Sequence, residues 1–189
     1  KSLQSLTTVF VTTLVTKHLC FSAVDANQVF NNKLGIFSTE DWADFAIIQS
    51  IVHEVWARQF STTLETRLSY TPTDCFLTFP FCEKNDQLRS LGQEIHIKRS
   101  NIIKDESLNL TRFYNRFHDE NDNSSDIVEF RSLMISLEKL IHKAYGWENK
   151  DFELGFYEGK DGIRFTYSDD AKKEILFLLL RLNEKQLEL

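Results

Sequence analysis

The sequence contains few of the residues that mark specialised protein classes. Its 189 residues include two prolines, six glycines, three cysteines and one methionine, which excludes collagen-like, linker-like and low-complexity proteins. Its longest apolar stretch near the end, Ile175–Leu180, is far shorter than the roughly 20 residues that span a bilayer. Positive charge is also scarce, because 22 basic residues against 28 acidic ones give a net charge of −6. Any surface that binds nucleic acid must therefore be local.

The cysteines form no recognisable framework. Cys20, Cys75 and Cys82 are an odd number without a Cys-x-x-Cys motif, which disfavours both a secreted disulfide scaffold and a structural zinc site. We therefore expect a reducing, cytoplasmic compartment. The chain starts at Lys1, its only methionine is Met134, and its start lacks the layout of a signal peptide. We expect an excised fragment of a longer protein that lacks its N-terminal part.

Residues 1–83 predict a small twisted β-sheet followed by a long helix. Apolar residues recur at helical spacing after Thr39, a candidate N-cap, and predict an amphipathic helix that runs to about Phe60. Two prolines mark Thr71–Phe81, which we interpret as an ordered connecting loop. Segments rich in Thr, Val, Phe and Leu predict three strands: Leu6–Val15, Leu19–Val24 and Leu34–Phe37.

Residues 84–189 predict a mainly helical part with one β-hairpin. Apolar spacing predicts a helix over Leu88–Ile103 and another over Ile127–Ile141, capped by Ser125 and ended by Gly146. His118–Asp126 lacks apolar residues and is predicted to be a solvated loop. The predicted fold class is α+β, with a first domain at 1–83 and a second at 84–189. Alternation in Phe152–Tyr157 and in Gly162–Tyr167 predicts the hairpin, and a cap at Ser168 predicts a last helix after it.

Several kinds of catalytic site are disfavoured. No nucleotide-binding glycine loop occurs, and His53-Glu54 lacks the second histidine of a zincin because that position is Ala57. Cys75 has no visible activating neighbour and is predicted to be a structural thiol. Glu158 and Lys160, with Asp151 upstream, match a nuclease triplet that holds Mg²⁺. Their glycine-flanked context favours a hairpin turn, and an independent nuclease is kept as a third hypothesis.

Two stretches combine basic residues with aromatic, hydroxyl or amide side chains. Arg and Lys bind phosphates, while Arg, Asn and Thr read base edges. Ordinary surface is the alternative interpretation for both stretches. Residues 1–100 carry nine basic and ten acidic residues, against 13 and 18 in the remainder, so we expect the first half to contribute more of any DNA surface. The stretches comprise Arg58, Arg67, Tyr70, Thr71 and Thr73, and then Arg112, Tyr114, Asn115, Arg116 and His118.

Longer motifs carry a family resemblance across nearly the whole chain. They are Ser50–Arg58, Leu64–Phe76, Thr78–Phe81, Thr111–Asp119, Ala144–Trp147, Gly155–Phe156 and Gly162–Thr166. In this order they resemble the C-terminal region of large bacterial adenine-specific DNA methyltransferases of type IIG restriction-modification and phage-defence systems. The resemblance implies a parent enzyme, bacterial or archaeal, that transfers a methyl group from S-adenosylmethionine to adenine N6. Mg²⁺ is implied as well where the parent cleaves DNA.

The resemblance implies that this chain is the DNA-recognition part and is inactive alone. The family's Asn-Pro-Pro-Tyr motif needs adjacent prolines, whereas Pro72 and Pro80 are eight apart, so no cofactor is expected in this chain. Its expected partners are double-stranded DNA and the parent's methyltransferase domain. A structural scaffold that docks without DNA contact is the alternative. Arg112 and Arg116 bind either a phosphate or an acidic neighbour such as Asp119. The expected DNA-binding residues are Lys17, Lys33, Arg58, Arg67, Thr73, Arg112, Asn115 and Arg116.

Overall fold

The computed structural model describes residues 3–64, 67–159 and 162–187. Its architecture is α+β, as predicted, and consists of small antiparallel sheets and α-helices. After a 3₁₀ turn at Leu3–Ser5, the strands are β1 (Thr8–Thr13), β2 (Val15–Thr16), β3 (Ser22–Asp25), β4 (Leu34–Phe37), β5 (Thr62–Leu64), β6 (Arg67–Ser69), β7 (Leu154–Gly159) and β8 (Gly162–Tyr167). The helices are α1 (Trp42–Gln49), α2 (Ile51–Phe60), α3 (Pro72–Cys75), α4 (Asp86–Asp105), α5 (Leu110–Phe117), α6 (Ser125–Tyr145) and α7 (Asp169–Leu187).

The first sheet has the order β3-β1-β4 and confirms the three predicted strands. Its central strand β1 is buried on both faces, because Phe10 packs against Phe45 of α1 while Val9 and Val11 join a smaller cluster on the other face. A second sheet, of order β2-β6-β5, was not predicted. Strands of two or three residues are too short to show the alternation that marks a strand.

The long helix predicted from Thr39 to Phe60 is wrong, because the chain forms two helices there. Asp41 is the N-cap of α1, and its Oδ1 accepts a hydrogen bond from the Ala43 N–H at 2.9 Å. Ser50 then leaves the helical conformation, with φ −66° and ψ 155°, and its Oγ accepts from the His53 N–H at 3.1 Å. This serine both ends α1 and caps α2.

A buried carboxylate stabilises the start of α2. The N–H groups of Ile51 and Val52 donate to Glu138 Oε1 and Oε2 at 2.6 and 3.2 Å. The Tyr167 hydroxyl donates to Oε2 at 2.6 Å, and His142 Nε2 lies 2.9 Å from the same hydroxyl. Burial raises the pKa of Glu138 to about 7. The N-terminal N–H groups of α2 therefore find their acceptor on α6.

Helix α1 lies between the two larger apolar clusters. Ala43 and Ile47 face the cluster that contains α4 and α6, whereas Phe45 and Ile48 face the first sheet. A helix enclosed in this way is apolar on nearly all sides, so the predicted amphipathic character does not hold for α1. The division at residue 83 stays a prediction. Residues on both sides of it contribute to the largest cluster.

Helices α1 and α4 approach each other closely at Gly92. A Cβ atom there would lie 2.5 Å from the Trp42 carbonyl oxygen and 3.2 Å from Ala46 Cβ. We expect Gly92→Ala to lower the free energy of unfolding by about 2 kcal/mol, because the clash outweighs the roughly 1 kcal/mol by which alanine favours a helix. Urea unfolding measures the loss, with Ser90→Ala at an exposed α4 position as control. An unchanged urea midpoint for Gly92→Ala contradicts this packing.

The predicted helices of the C-terminal part are confirmed with small shifts. Helix α6 ends at Gly146, whose φ of 73° is the left-handed conformation that glycine favours. Its N-cap is Ser124, one residue before the predicted cap. The hairpin β7–β8 is confirmed, and Ser168 Oγ accepts from the Ala171 N–H at 3.2 Å at the start of α7.

The predicted solvated loop His118–Asp126 is confirmed over residues 119–124, which are mostly exposed and lie outside helices and strands, and it is wrong at its two ends. His118 is buried, and Asp126 belongs to α6. Arg131 of α6 reaches into the loop, where its guanidinium donates to the carbonyl oxygens of Asp119 and Asp122 at 2.6 and 2.7 Å. The side chains of this loop face solvent, while its backbone carbonyls bind the buried guanidinium of Arg131.

Two further observations concern the helices and the cysteines. Of the helices in the described ranges, none has both the length and the apolar character to cross a bilayer. Cys20, Cys75 and Cys82 are free thiols, and the last two are buried.

Candidate functional site

Three of the expected DNA-binding residues meet in one network. Lys17 Nζ donates to Asn115 Oδ1 at 2.8 Å, which joins the loop after β2 to α5. His18 Nε2 lies 3.0 Å from the same oxygen. Asn109 caps α5 by accepting from the Arg112 N–H at 2.9 Å, and this cap starts the helix that carries Asn115. Residues almost 100 positions apart in the chain thus form one surface.

Arg164 of β8 lies at the centre of this network. Its Nη1 is 3.3 Å from His18 Nδ1, and its Nη2 is 3.0 Å from His118 Nε2. The same Nη2 donates to Glu54 Oε1 at 3.0 Å, and Arg58 Nε donates to that oxygen at 2.7 Å. Glu54 therefore bridges two arginines. We call the set Lys17, His18, Glu54, Arg58, Asn115, His118 and Arg164 the Arg164 network.

Burial and the two arginines determine the charge states in the Arg164 network. Burial and, to a smaller extent, the charge of Arg164 lower the pKa of His118 to about 2. Burial likewise lowers the pKa of His18 to about 4. Burial would raise the pKa of Glu54, but the charges of Arg58 and Arg164 hold it at about 2. At neutral pH both histidines are uncharged, and Glu54 is ionised.

The histidine rings also stack on aromatic neighbours. The rings of His18 and His118 stack with centroids 5.1 Å apart, and His18 stacks on Tyr114 at 5.9 Å. Neutral rings stack without charge repulsion, so the lowered pKa values and the stacking agree. The stack fixes the position of Arg164 between the loop after β2 and the end of α5.

Arg116 binds acidic neighbours, although they differ from the expected Asp119. Its Nε donates to Asp122 at 2.7 Å, its Nη1 lies 3.2 Å from Asp126, and it also pairs with Glu106. These hydrogen bonds, that with Asp122 above all, raise the pKa of Arg116, whereas burial lowers it. The hydrogen bonds have the larger effect, so the pKa is raised overall. Arg116 thus joins α5 to the start of α6. Its contribution to phosphate binding stays a prediction.

The remaining expected residues are dispersed over the surface. Three of them are exposed basic residues: Lys33 in the turn before β4, Arg67 on β6 and Arg112 on α5. Thr73 is exposed on α3, where its hydroxyl donates to Asp74 at 3.1 Å. Their roles stay predictions. The structure does not bring these four into contact with the Arg164 network.

The segment Thr71–Phe81, predicted as an ordered connecting loop, packs its aromatic residues inward. Its first turn is α3 rather than loop. Tyr70, just before it, is buried with its hydroxyl 3.0 Å from His53 Nε2. The aromatic side chains that pack in the apolar clusters are Phe76, Phe79 and Phe81.

Sequence reasoning missed the centre of the site. His118 appeared only as one member of the second basic and aromatic stretch, His18 was given no role, and Arg164 appeared only within a longer motif. One signal was present, because Arg164 is the only charged residue between Gly162 and Tyr167. A lone arginine in an apolar strand indicates a buried partner.

The nuclease stays a hypothesis, because only part of its triplet lies within the described residues. Glu158 lies on β7 opposite Ile163, so the predicted turn does not include it. Lys160 lies outside the residues that the structure describes. Within those residues, no group of three His, Cys, Asp or Glu side chains is arranged to hold a metal ion.

The comparisons with known proteins agree with the expected resemblance. Residues 4–83 match the family model described as MmeI, target recognition domain. This match confirms the resemblance over that part of the chain. A solved structure, described as Type IIL restriction-modification enzyme MmeI in complex with DNA, aligns with a TM-score of 0.63 at 16% identity. The alignment covers 97% of this chain and 22% of that one. No curated protein matches the chain.

The two comparisons cover different extents. The family match ends at residue 83, whereas the structural similarity extends through the helical part. At this level of identity the structural match establishes the fold. The chain spans less than a quarter of the length of the matched structure, so the activity of a whole enzyme is a matter for proposal.

Proposed function

We propose that this chain is a non-catalytic DNA-recognition module of a restriction-modification enzyme. It holds duplex DNA in position for an N6-adenine methyltransferase domain that lies outside this chain. The observation that carries the proposal is the match of residues 4–83 to a target recognition domain. The type IIG class and a role in phage defence belong to the same proposal.

The Arg164 network supports this role physically. Lys17 and Arg58 offer positive charge on a framework tied by hydrogen bonds to α5 and β8. Phosphate contacts of this kind fix the register of a protein on DNA, while other side chains read the bases. Because the acidic excess lies mainly after residue 100, the first half is the less repulsive surface for DNA.

The methyl donor belongs to the proposed parent enzyme rather than to this chain. The described residues do not fit S-adenosylmethionine through a glycine-rich loop, because Gly155, Gly159 and Gly162 all lie in the β7–β8 hairpin. The proposal therefore assigns no catalytic step to this chain. It assigns binding and orientation of the DNA.

A triple variant tests the DNA contact. Lys17→Ala, Lys33→Ala and Arg67→Ala remove three exposed positive charges. We expect the variant to bind a mixed-sequence duplex at least tenfold more weakly at low salt. The slope of log K against log[salt] should fall in magnitude by about 2.7, since each phosphate contact contributes about 0.9. Fluorescence anisotropy over a salt series measures both quantities.

The matched control removes three exposed lysines from the helical part: Lys104→Ala, Lys139→Ala and Lys150→Ala. It makes the same change in net charge, so equal weakening by both triples contradicts a localised surface. Absence of duplex binding by the unaltered chain contradicts the proposal and favours the alternative of a scaffold that docks without DNA contact.

A further inference from the structure

A cleft of about 360 Å³ lies where α2, β8 and the first turn of α7 meet. It shares Glu54, Arg58 and Arg164 with the Arg164 network. Four basic residues and two acidic ones line it, so its charged lining has a net charge of +2 in a protein whose total is −6. They are Arg58, Arg164, Lys172, Lys173, Glu54 and Asp169.

The two arginines are held in place before any ligand arrives. Both donate to Glu54 Oε1, at 2.7 Å from Arg58 Nε and 3.0 Å from Arg164 Nη2. Their side chains are only 30% and 13% exposed. The three groups together carry one positive charge in a partly desolvated position, where charge attracts an anion more strongly than in water. Side chains already ordered lose little entropy on binding.

The first turn of α7 adds to the positive potential. Lys172 and Lys173 pair with Asp169 and Asp170 at 3.1 and 2.9 Å. Both aspartates are mostly exposed, so these surface pairs contribute little and are screened by salt. Asp169, the first residue of this 19-residue helix, lines the cleft, so the N-terminal end of the helix lies beside it, and such an end favours anions.

The remaining wall is apolar. Ile51, Val55 and Leu176 line the cleft beside the charged groups. A volume near 360 Å³ exceeds that of a lone phosphate and lies at the lower end of small-ligand pockets. A ligand with an anionic group and a compact, less polar body fits both walls.

We propose that this cleft binds a sugar phosphate, namely one phosphate of a DNA strand with its adjoining deoxyribose. The choice of DNA as the source rests on the proposed function, and a free sugar phosphate has the same chemistry. The guanidinium groups of Arg58 and Arg164 match the geometry of phosphate oxygens. The consequence is that the helical part shares the DNA contact with residues 1–83, since β8 and α7 supply half of the site.

Binding of 2-deoxyribose 5-phosphate tests the cleft directly. NMR titration should give saturable shifts at the amides of Gly159 and Thr166, which line the cleft. The double variant Arg58→Gln, Lys172→Ala should weaken this binding at least tenfold and weaken duplex binding by a similar factor. The control is Arg181→Gln, Lys185→Ala, which makes the same charge change on exposed positions of α7 and should stay within twofold.

The two arms separate this proposal from the function proposed above. Duplex binding without saturable binding of the sugar phosphate overturns the cleft site and leaves the DNA-recognition role intact. Binding of the sugar phosphate by a chain that fails to bind duplex supports the cleft site, identifies a free sugar phosphate as its ligand and contradicts the DNA-recognition role. Equal weakening by both double variants overturns the site, because it indicates unspecific attraction.

Discussion

Glu138→Ala is expected to lower the free energy of unfolding by about 3 kcal/mol, the cost typical of leaving buried donors without an acceptor. The substitution removes the acceptors of the Ile51 and Val52 N–H groups and of the Tyr167 hydroxyl. Water cannot replace them easily, because Glu138 is only 2% exposed. Urea unfolding followed by circular dichroism measures the loss.

Two controls separate this capping role from a general effect of charge. Glu129→Ala on the exposed side of the same helix should change stability by less than about 0.5 kcal/mol. Glu138→Gln keeps the shape and one acceptor oxygen, so it should cost less than Glu138→Ala. Equal and small effects for Glu138→Ala and Glu129→Ala contradict a capping role.

The pH dependence gives a second signature of Glu138. Burial raises its pKa in the folded state to about 7, above the ordinary value of 4.5. Its stabilising contribution is therefore complete below pH 4.5 and is lost as the pH rises through 7. Because glutamine does not titrate, Glu138→Gln should be less destabilising at pH 8 than at pH 5. A difference of the opposite sign contradicts the raised pKa.

Local signals predicted most of the fold. Composition predicted β4, alternation predicted the β7–β8 hairpin, and a glycine predicted the end of α6, because these features depend on neighbours in the chain. The break at Ser50 was missed because part of its stabilisation comes from Glu138, 87 residues away from Ile51. Helical periodicity continues through the break, so no local pattern reveals it.

The candidate site was predicted by residue type but not by arrangement. Lys17, Arg58 and Asn115 were expected as DNA contacts, and the structure brings them into one network. What joins them is Arg164, whose contact with His18 spans 146 positions. Contacts between residues so far apart in the sequence depend on how the hairpin packs against α2 and α5. That packing cannot be predicted from local patterns in one sequence. For Arg116 the sequence indicated contact with an acidic side chain, but it did not identify which acidic residues are the partners.

Acidification from pH 7 to 5 is expected to lower the free energy of unfolding by about 7 kcal/mol. Burial lowers the folded-state pKa of every one of the five histidines, to about 3 for His53 and about 2 for His118. Below the ordinary pKa of 6.5, the unfolded chain takes up protons that the folded chain excludes. Each histidine therefore contributes stability that is present above pH 6.5 and lost as the pH falls.

The slope of stability against pH distinguishes this cause from a general acid effect. Each histidine that stays neutral in the fold adds up to about 1.4 kcal/mol per pH unit below 6.5. Glu138 opposes the trend, so the sum falls short of five full contributions. His118→Asn should reduce the slope by nearly one proton, because burial keeps the His118 ring neutral beside Arg164. His96→Asn should reduce it by a similar amount, because burial lowers the pKa of His96 to about 4. A stability that stays constant between pH 7 and 5 contradicts the neutral, stacked histidines on which the Arg164 network depends.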